Sequence, residues 1–195
     1  MKRTVFAVAL LVALAAAAPA LAVEASEAPR SKPLAVGSAF PDVPLIGPVS
    51  PEAAAALGIA PGKAQTPINA LTAEVLVVEI FSMYCPYCQK DAPTVNALHD
   101  LIGKRGLSNR IAVIGIGAGN SDAEVDIFRK KYAIPFPLFS DAAFAVHVRV
   151  GEVGTPFFYV LKKQKDGSYT VLDGSLGVIN SPAEFLSFIT RKAGI

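Results

Sequence analysis

The sequence has 195 residues, about half of them hydrophobic, and a formal net charge of +2. That length fits one domain behind a leader better than two full domains. So small a charge gives no argument for nucleic acid or an anionic membrane surface as a partner.

Residues 1–22 have the grammar of a secretory signal peptide. Lys2 and Arg3 form the basic start, residues 5–18 an apolar run without charge, and Ala20-Leu21-Ala22 an A-x-A cleavage site. An uncleaved membrane anchor is the alternative, because the apolar stretch up to Val23 is nearly long enough to span a bilayer. Pro19 and the small residues before Val23 favour cleavage, and with no cysteine nearby a lipoprotein is excluded. Both readings predict export, to the periplasm or another extracytoplasmic space. Residues 23–34 are small, polar and Pro-containing, which predicts a flexible tether, and the folded domain is expected over 35–195.

Within that domain, residues 37–48 mix Gly, Pro and apolar side chains, as in a wrapping loop or short edge strand. Ser50-Pro51-Glu52 opens a short helix that runs through alanines to a stop at Gly58, and 61–66 reads as loop. Residues 75–81 form a β-branched apolar run that predicts a buried strand. Val95, Leu98 and Ile102 recur at helical spacing, so 86–102 is a helix with Gly103 as its stop. A second buried strand is expected over 111–116. Ser121-x-x-Glu124 is a capping box opening a helix to Tyr132, with Arg129-Lys130-Lys131 as its solvated end. A short strand at 137–139 and a short helix at 142–148 follow. Residues 157–162 and 169–172 flank Asp166-Gly167 as an antiparallel hairpin. Ser181-Pro182-Ala183-Glu184 then starts the last helix with both a capping box and a proline at its first position. The order β-α-β-α-β-β-α behind an N-terminal extension predicts an α/β sandwich with a mixed sheet.

The two cysteines are three positions apart. A bridge between them closes so short a loop that it restricts the unfolded chain little, and a domain of this size has no need of a staple. Redox chemistry is the better reason for the pair. Cys85-Pro86-Tyr87-Cys88 stands where a buried strand gives way to a helix, so the first thiol faces unpaired amide N–H groups and the positive end of the helix dipole, which stabilise a thiolate. Pro86 suits that first turn. Cys85 is therefore the expected nucleophile, and Cys88, one turn inward, the resolving thiol.

Residues 78–88, Val-Glu-Ile-Phe-Ser-Met-Tyr-Cys-Pro-Tyr-Cys, resemble the active-site strand and helix start of the thioredoxin superfamily. Val153-Gly154-Thr155-Pro156-Phe157-Phe158 resembles its second landmark, a cis-proline loop opposite the cysteines. Pro156 follows Cys88 by 68 residues, a spacing like that of the exported TlpA/ResA-like branch, and Gly37-Ser38-Ala39-Phe40-Pro41 resembles that branch's approach to the sheet. The resemblance covers about residues 35–195 and implies a thioredoxin-like three-layer sandwich. It also implies roles. Glu79, six before Cys85, matches the buried acid that shuttles the resolving thiol's proton; Asp91, three after Cys88, matches an acidic position of the branch. An alternative for Asp91 is a first-turn acid favoured by the helix dipole. Pro156 would be the cis-proline, and the Thr155 backbone would pair with an extended client segment. Pro86, Tyr87 and Tyr84 are the further candidate client contacts. The chain has no tryptophan, and Phe81 and Tyr84 stand where relatives often carry it.

The implied activity is thiol:disulfide oxidoreduction, with the reductase direction favoured, disulfide-bearing protein clients as substrates, a membrane thiol transporter as electron donor, and cytochrome c maturation as the implied setting. No cofactor and no metal is expected. Oxidase or isomerase action at the same site is the first alternative. A peroxiredoxin-like peroxidase is another, through the faint T-x-x-C echo of Ser82-x-x-Cys85. A non-catalytic copper carrier would use both thiolates and a histidine, with His147 the obvious candidate, although such carriers space their cysteines by three residues. Otherwise His99 and His147 read as structural or surface residues. Covalent haem attachment needs His after the second Cys, where Gln89 stands.

Overall fold

The computed structural model describes residues 32–47, 49–62 and 65–195. The predicted signal peptide and nearly all of the tether lie outside the described residues. Among those described, no helix is long and apolar enough to cross a membrane.

The elements are β1 (Ala39–Phe40), β2 (Pro44–Ile46), α1 (Pro51–Leu57), β3 (Gln65–Pro67), β4 (Val75–Phe81), α2 (Pro86–Lys104), β5 (Ile111–Ala118), α3 (Asp122–Lys131), β6 (Leu138–Asp141), α4 (Ala145–Arg149), β7 (Phe157–Lys163), β8 (Tyr169–Leu176) and α5 (Pro182–Ala193). The strands make one mixed sheet in the order β1-β8-β7-β4-β5-β6-β2-β3. β4 is central, parallel to β5 and antiparallel to β7. All seven of its residues are buried, which explains an apolar run that does not alternate.

The pleat of β4 divides the core. Leu76, Val78 and Ile80 face a layer with Ala54 and Leu57 of α1, Val146 of α4, Phe40 and Tyr159. Val75, Val77 and Phe81 face the layer formed by α2, α3 and α5, through Cys88, Val95 and Leu98, then Val125 and Phe128, then Leu186 and Ile189. Helices cover both faces, as the predicted sandwich requires. Glu79 shares the second face by alternation, so its carboxyl points toward the layer that holds Cys88.

Most boundaries stand within two or three residues of expectation, and the departures have physical causes. Gly103 does not stop α2, which continues to Lys104; the chain turns at Gly106, whose left-handed φ of 68° a side chain would resist. The end of the loop expected over 61–66 is instead the start of β3, which pairs along its whole length with β2. The strand expected at 137–139 sits at Leu138–Asp141, pulled into register by parallel pairing with β5. Residues 142–144 form a turn, so α4 starts only at Ala145, where the Asp141 carboxylate accepts the Val146 and His147 N–H groups. β8 runs four residues beyond Leu172 because β7 pairs with it up to Leu176. The capping box of α3 is complete, whereas at α5 only the Ser181 half forms.

Candidate active site

Cys85 is the N-cap of α2 and is half-buried; Pro86 occupies the first turn and Cys88 is fully buried one turn on. Both thiols are free. Their environments drive their acidities apart. Desolvation pushes the Cys85 thiol up, but hydrogen bonding from the Thr155 side chain, the Cys88 amide and thiol and the Tyr87 amide outweighs it, so its pKa lies below the ordinary cysteine value. Burial pushes Cys88 far up; a backbone hydrogen bond at Ser82 opposes this, and the negative charges of Glu79 and Cys85 reinforce it.

Opposite Cys85 the chain leaves α4 and enters β7 through Val153-Gly154-Thr155-Pro156, where the Thr155–Pro156 peptide bond is cis. The Cys85 thiol donates to the Thr155 carbonyl at 3.1 Å. Pro156 is buried, and its carbonyl accepts from the Gly177 amide at 2.9 Å, fastening the loop to the end of β8.

The two acids lie beneath the thiols. Glu79 is 3% exposed, and its Oε1 has no partner among the described residues. Burial first, then the charges of Asp91 and Cys85, raise its pKa to about 8. Asp91 is no exposed first-turn acid. It is buried and accepts the Ile179 N–H at 3.1 and 3.3 Å, tying α2 to the segment before α5. Its pKa is raised by burial, against hydrogen bonds from the Ile179 amide and the Thr94 side chain.

Tyr84 and Tyr87 are exposed beside Cys85. The Tyr84 hydroxyl donates to Glu124, the acid that completes the α3 capping box, and the Gln89 side chain donates to the Met83 carbonyl at 2.7 Å. The structure thus brings Cys85, Cys88, Pro86, Thr155, Pro156, Tyr84 and Tyr87 to one end of the sheet, with Glu79 and Asp91 underneath.

Three further polar residues also reach this region, one of them His147, the candidate histidine of the copper-carrier alternative. Asn120 is completely buried and its Oδ1 accepts the Met83 N–H at 2.8 Å. His147 places Nε2 2.8 Å from the Val153 carbonyl. Asp141, also buried, lies between them in the fold. The sequence offers little signal for any of the three, because their partners are backbone atoms. His99 is half-buried, with its ring against Phe136. Among the described residues no group of three or more His, Cys, Asp or Glu side chains is gathered to hold a metal ion.

No curated protein matches the chain. Solved structures do. A Chlorobium tepidum protein assigned as thiol:disulfide interchange protein DsbE superposes with a TM-score of 0.61 at 17% identity, covering 82% of this chain and 98% of its own. StoA of Bacillus subtilis gives 0.54 at 17%, covering 77% and 98%. A secreted Mycobacterium tuberculosis disulfide oxidoreductase homologous to E. coli DsbE gives 0.51 at 19%, covering 66% and 89%. At these identities the likeness establishes the thioredoxin-like fold. Residues 52–166, more than half of the sequence, match a family model in their own right, and by that match the chain belongs to the AhpC/TSA family.

Proposed function

We propose that this protein is an exported thiol:disulfide oxidoreductase that reduces disulfides of protein clients. The observation that carries the reading is the unequal pair at the start of α2: an accessible Cys85 of lowered pKa against the Thr155 carbonyl, and a buried Cys88 of raised pKa near Glu79. An attacking thiol needs access and thiolate character, and a resolving thiol needs protection until the mixed disulfide forms.

In the proposed cycle the Cys85 thiolate attacks one sulfur of a client disulfide. The other client sulfur leaves as a thiolate and takes up a proton. Cys88 then loses its proton to Glu79 and attacks Cys85, which expels the second client thiolate and leaves a Cys85–Cys88 disulfide. Two electrons pass from protein to client. A pKa of about 8 suits Glu79 to hold and release a proton near neutral pH. Asp91 supports this role through its charge, which helps to raise the pKa of Glu79, and through its hold on Ile179. The Thr155 backbone pairs with the extended client, while Pro86, Tyr84 and Tyr87 form the rim it crosses. A membrane thiol transporter returns the electrons. Export is supported by the leader-like residues 1–22, and the secreted Mycobacterium tuberculosis relative shares the fold.

The reduction potential of the Cys85–Cys88 couple tests the reading. A value near or below about −220 mV supports the reductase direction, whereas one near about −120 mV makes the protein an oxidase or isomerase on the same site. The absence of any reversible couple would sink the redox function altogether.

A further inference from the structure

The two halves of the site are carried by the ends of different strands. β4 and β7 pair only as far as Ile80 and Phe157, so the run from Phe81 to Cys85 and the run from Val153 to Pro156 both lie outside the ladder. The Cys85 thiol links them directly by donating to the Thr155 carbonyl. That link cannot hold the site together through a reaction, because a thiolate or a mixed disulfide at Cys85 has no proton to donate.

A second, indirect path joins the halves through groups that take no part in the chemistry. The Met83 amide, two residues before Cys85, donates to Asn120 Oδ1. The Asn120 carbonyl accepts from the Asp141 amide at 3.2 Å, and the Gly119 amide donates to the Asp141 carbonyl at 3.0 Å. The Asp141 carboxylate accepts the Val146 amide at 3.1 Å and the His147 amide at 2.8 Å. The His147 ring then reaches the Val153 carbonyl, two residues before Thr155. A carbonyl only accepts, so Nε2 carries the proton there. Asn120 and Asp141 are buried, so these bonds are shielded from competing water. The Nδ2 of Asn120 has no partner among the described residues, a burial cost that an apolar residue would avoid. What the asparagine supplies in return is the bond to Met83.

We propose that Asn120, Asp141 and His147 form a polar bracket that fixes the spacing between Cys85 and Thr155, which makes them positioning residues for client exchange. The inference rests on the thiol-exchange reading above and adds residues to it.

The test uses the full chain in reduced form. Exchange with a synthetic peptide disulfide is timed, and the pH profile of Cys85 alkylation by iodoacetamide is recorded alongside. His147 is half-buried, so His147→Phe keeps a ring while removing the donor, and His147→Gln restores one. Loss of one such bond is expected to slow peptide exchange about fivefold or more and to move the alkylation midpoint, while Gln recovers both. A merely structural role would lower the melting temperature and leave both readouts of the folded protein in place. The bracket is overturned if folded His147→Phe matches wild type in both, or if Gln is as impaired as Phe. Should His147→Phe fail to fold, Asn120→Ser breaks the other end and is judged by the same two readouts. A wild-type protein that exchanges with no disulfide would remove the thiol-exchange reading and the bracket with it; an active wild type with unaffected variants removes the bracket alone.

Discussion

Glu79 is the one ionisable residue in a strand of seven buried positions, and its shifted titration is a statement about stability as well as chemistry. The unfolded chain gives up this proton near the ordinary value of 4.5, while the folded protein keeps it to about pH 8. Between those values the native state binds more protons than the unfolded state, so stability falls as pH rises. At 1.36 kcal/mol per unit, reduced wild type should lose about 2 kcal/mol between pH 5 and pH 7 in urea denaturation. Glu79→Gln keeps the shape without the titration and should flatten that slope. A smaller fall remains from Asp91, whose burial acts in the same sense. Cys85, shifted down, acts in the opposite sense, adding stability as pH rises. A Gln variant as steep as wild type would show that Glu79 ionises freely in the fold.

The element that presents the site is the β4–α2 unit, and its packing leaves no room for a methyl group at Gly115 of the neighbouring strand. Gly115 of β5 lies opposite Glu79 in the parallel register. A Cβ there would sit 2.5 Å from Leu138 Cδ2 and 3.2 Å from the Phe81 ring. The end of Leu138 can swing aside, but Phe81 is fully buried between α2 and α3 and has nowhere to go. Gly115→Ala should therefore cost about 1–3 kcal/mol of overpacking in chemical denaturation, and a change below about 0.5 kcal/mol would mean that Phe81 and Leu138 give way to the added methyl. This unit was also the most legible part of the sequence. A β-branched run, Cys-Pro-x-Cys and helical spacing are local signals, and β4, the start of α2 and the α3 capping box follow from them directly. β3 was not legible, because Gln65-Thr66-Pro67 has no strand character of its own and becomes a strand only against β2. The same holds within the site. Cys85, Cys88, Thr155 and Pro156 could be named from their motifs, whereas Asn120 and His147 act on backbone atoms of other segments, which no residue pattern encodes.

Across the whole molecule, the described chain begins where the second half of the site is anchored. The Lys32 amide donates to the Gly151 carbonyl at 2.9 Å, and the Leu34 amide donates to the Tyr159 hydroxyl at 3.1 Å. The same hydroxyl donates to the Val150 carbonyl at 2.6 Å. One buried tyrosine of β7 therefore joins the incoming chain, the α4 end that leads to Thr155, and the apolar layer in which its ring meets Phe40 and Phe157. This is a long-range tie, 125 residues apart at Leu34, and it brings the N-terminal approach to the loop on which the proposed client contact depends. Tyr159→Phe keeps the ring and removes the oxygen, leaving the Leu34 amide and the Val150 carbonyl without that partner. The expected cost is about 1–3 kcal/mol, the penalty for stranding buried polar groups, measured by urea denaturation of the reduced protein. Hydrogen exchange locates the effect, with faster exchange expected at the Leu34 amide and unchanged protection in β4 and β5. Stability within about 0.5 kcal/mol of wild type and an unchanged Leu34 amide would show that the approach is held by its apolar contacts instead.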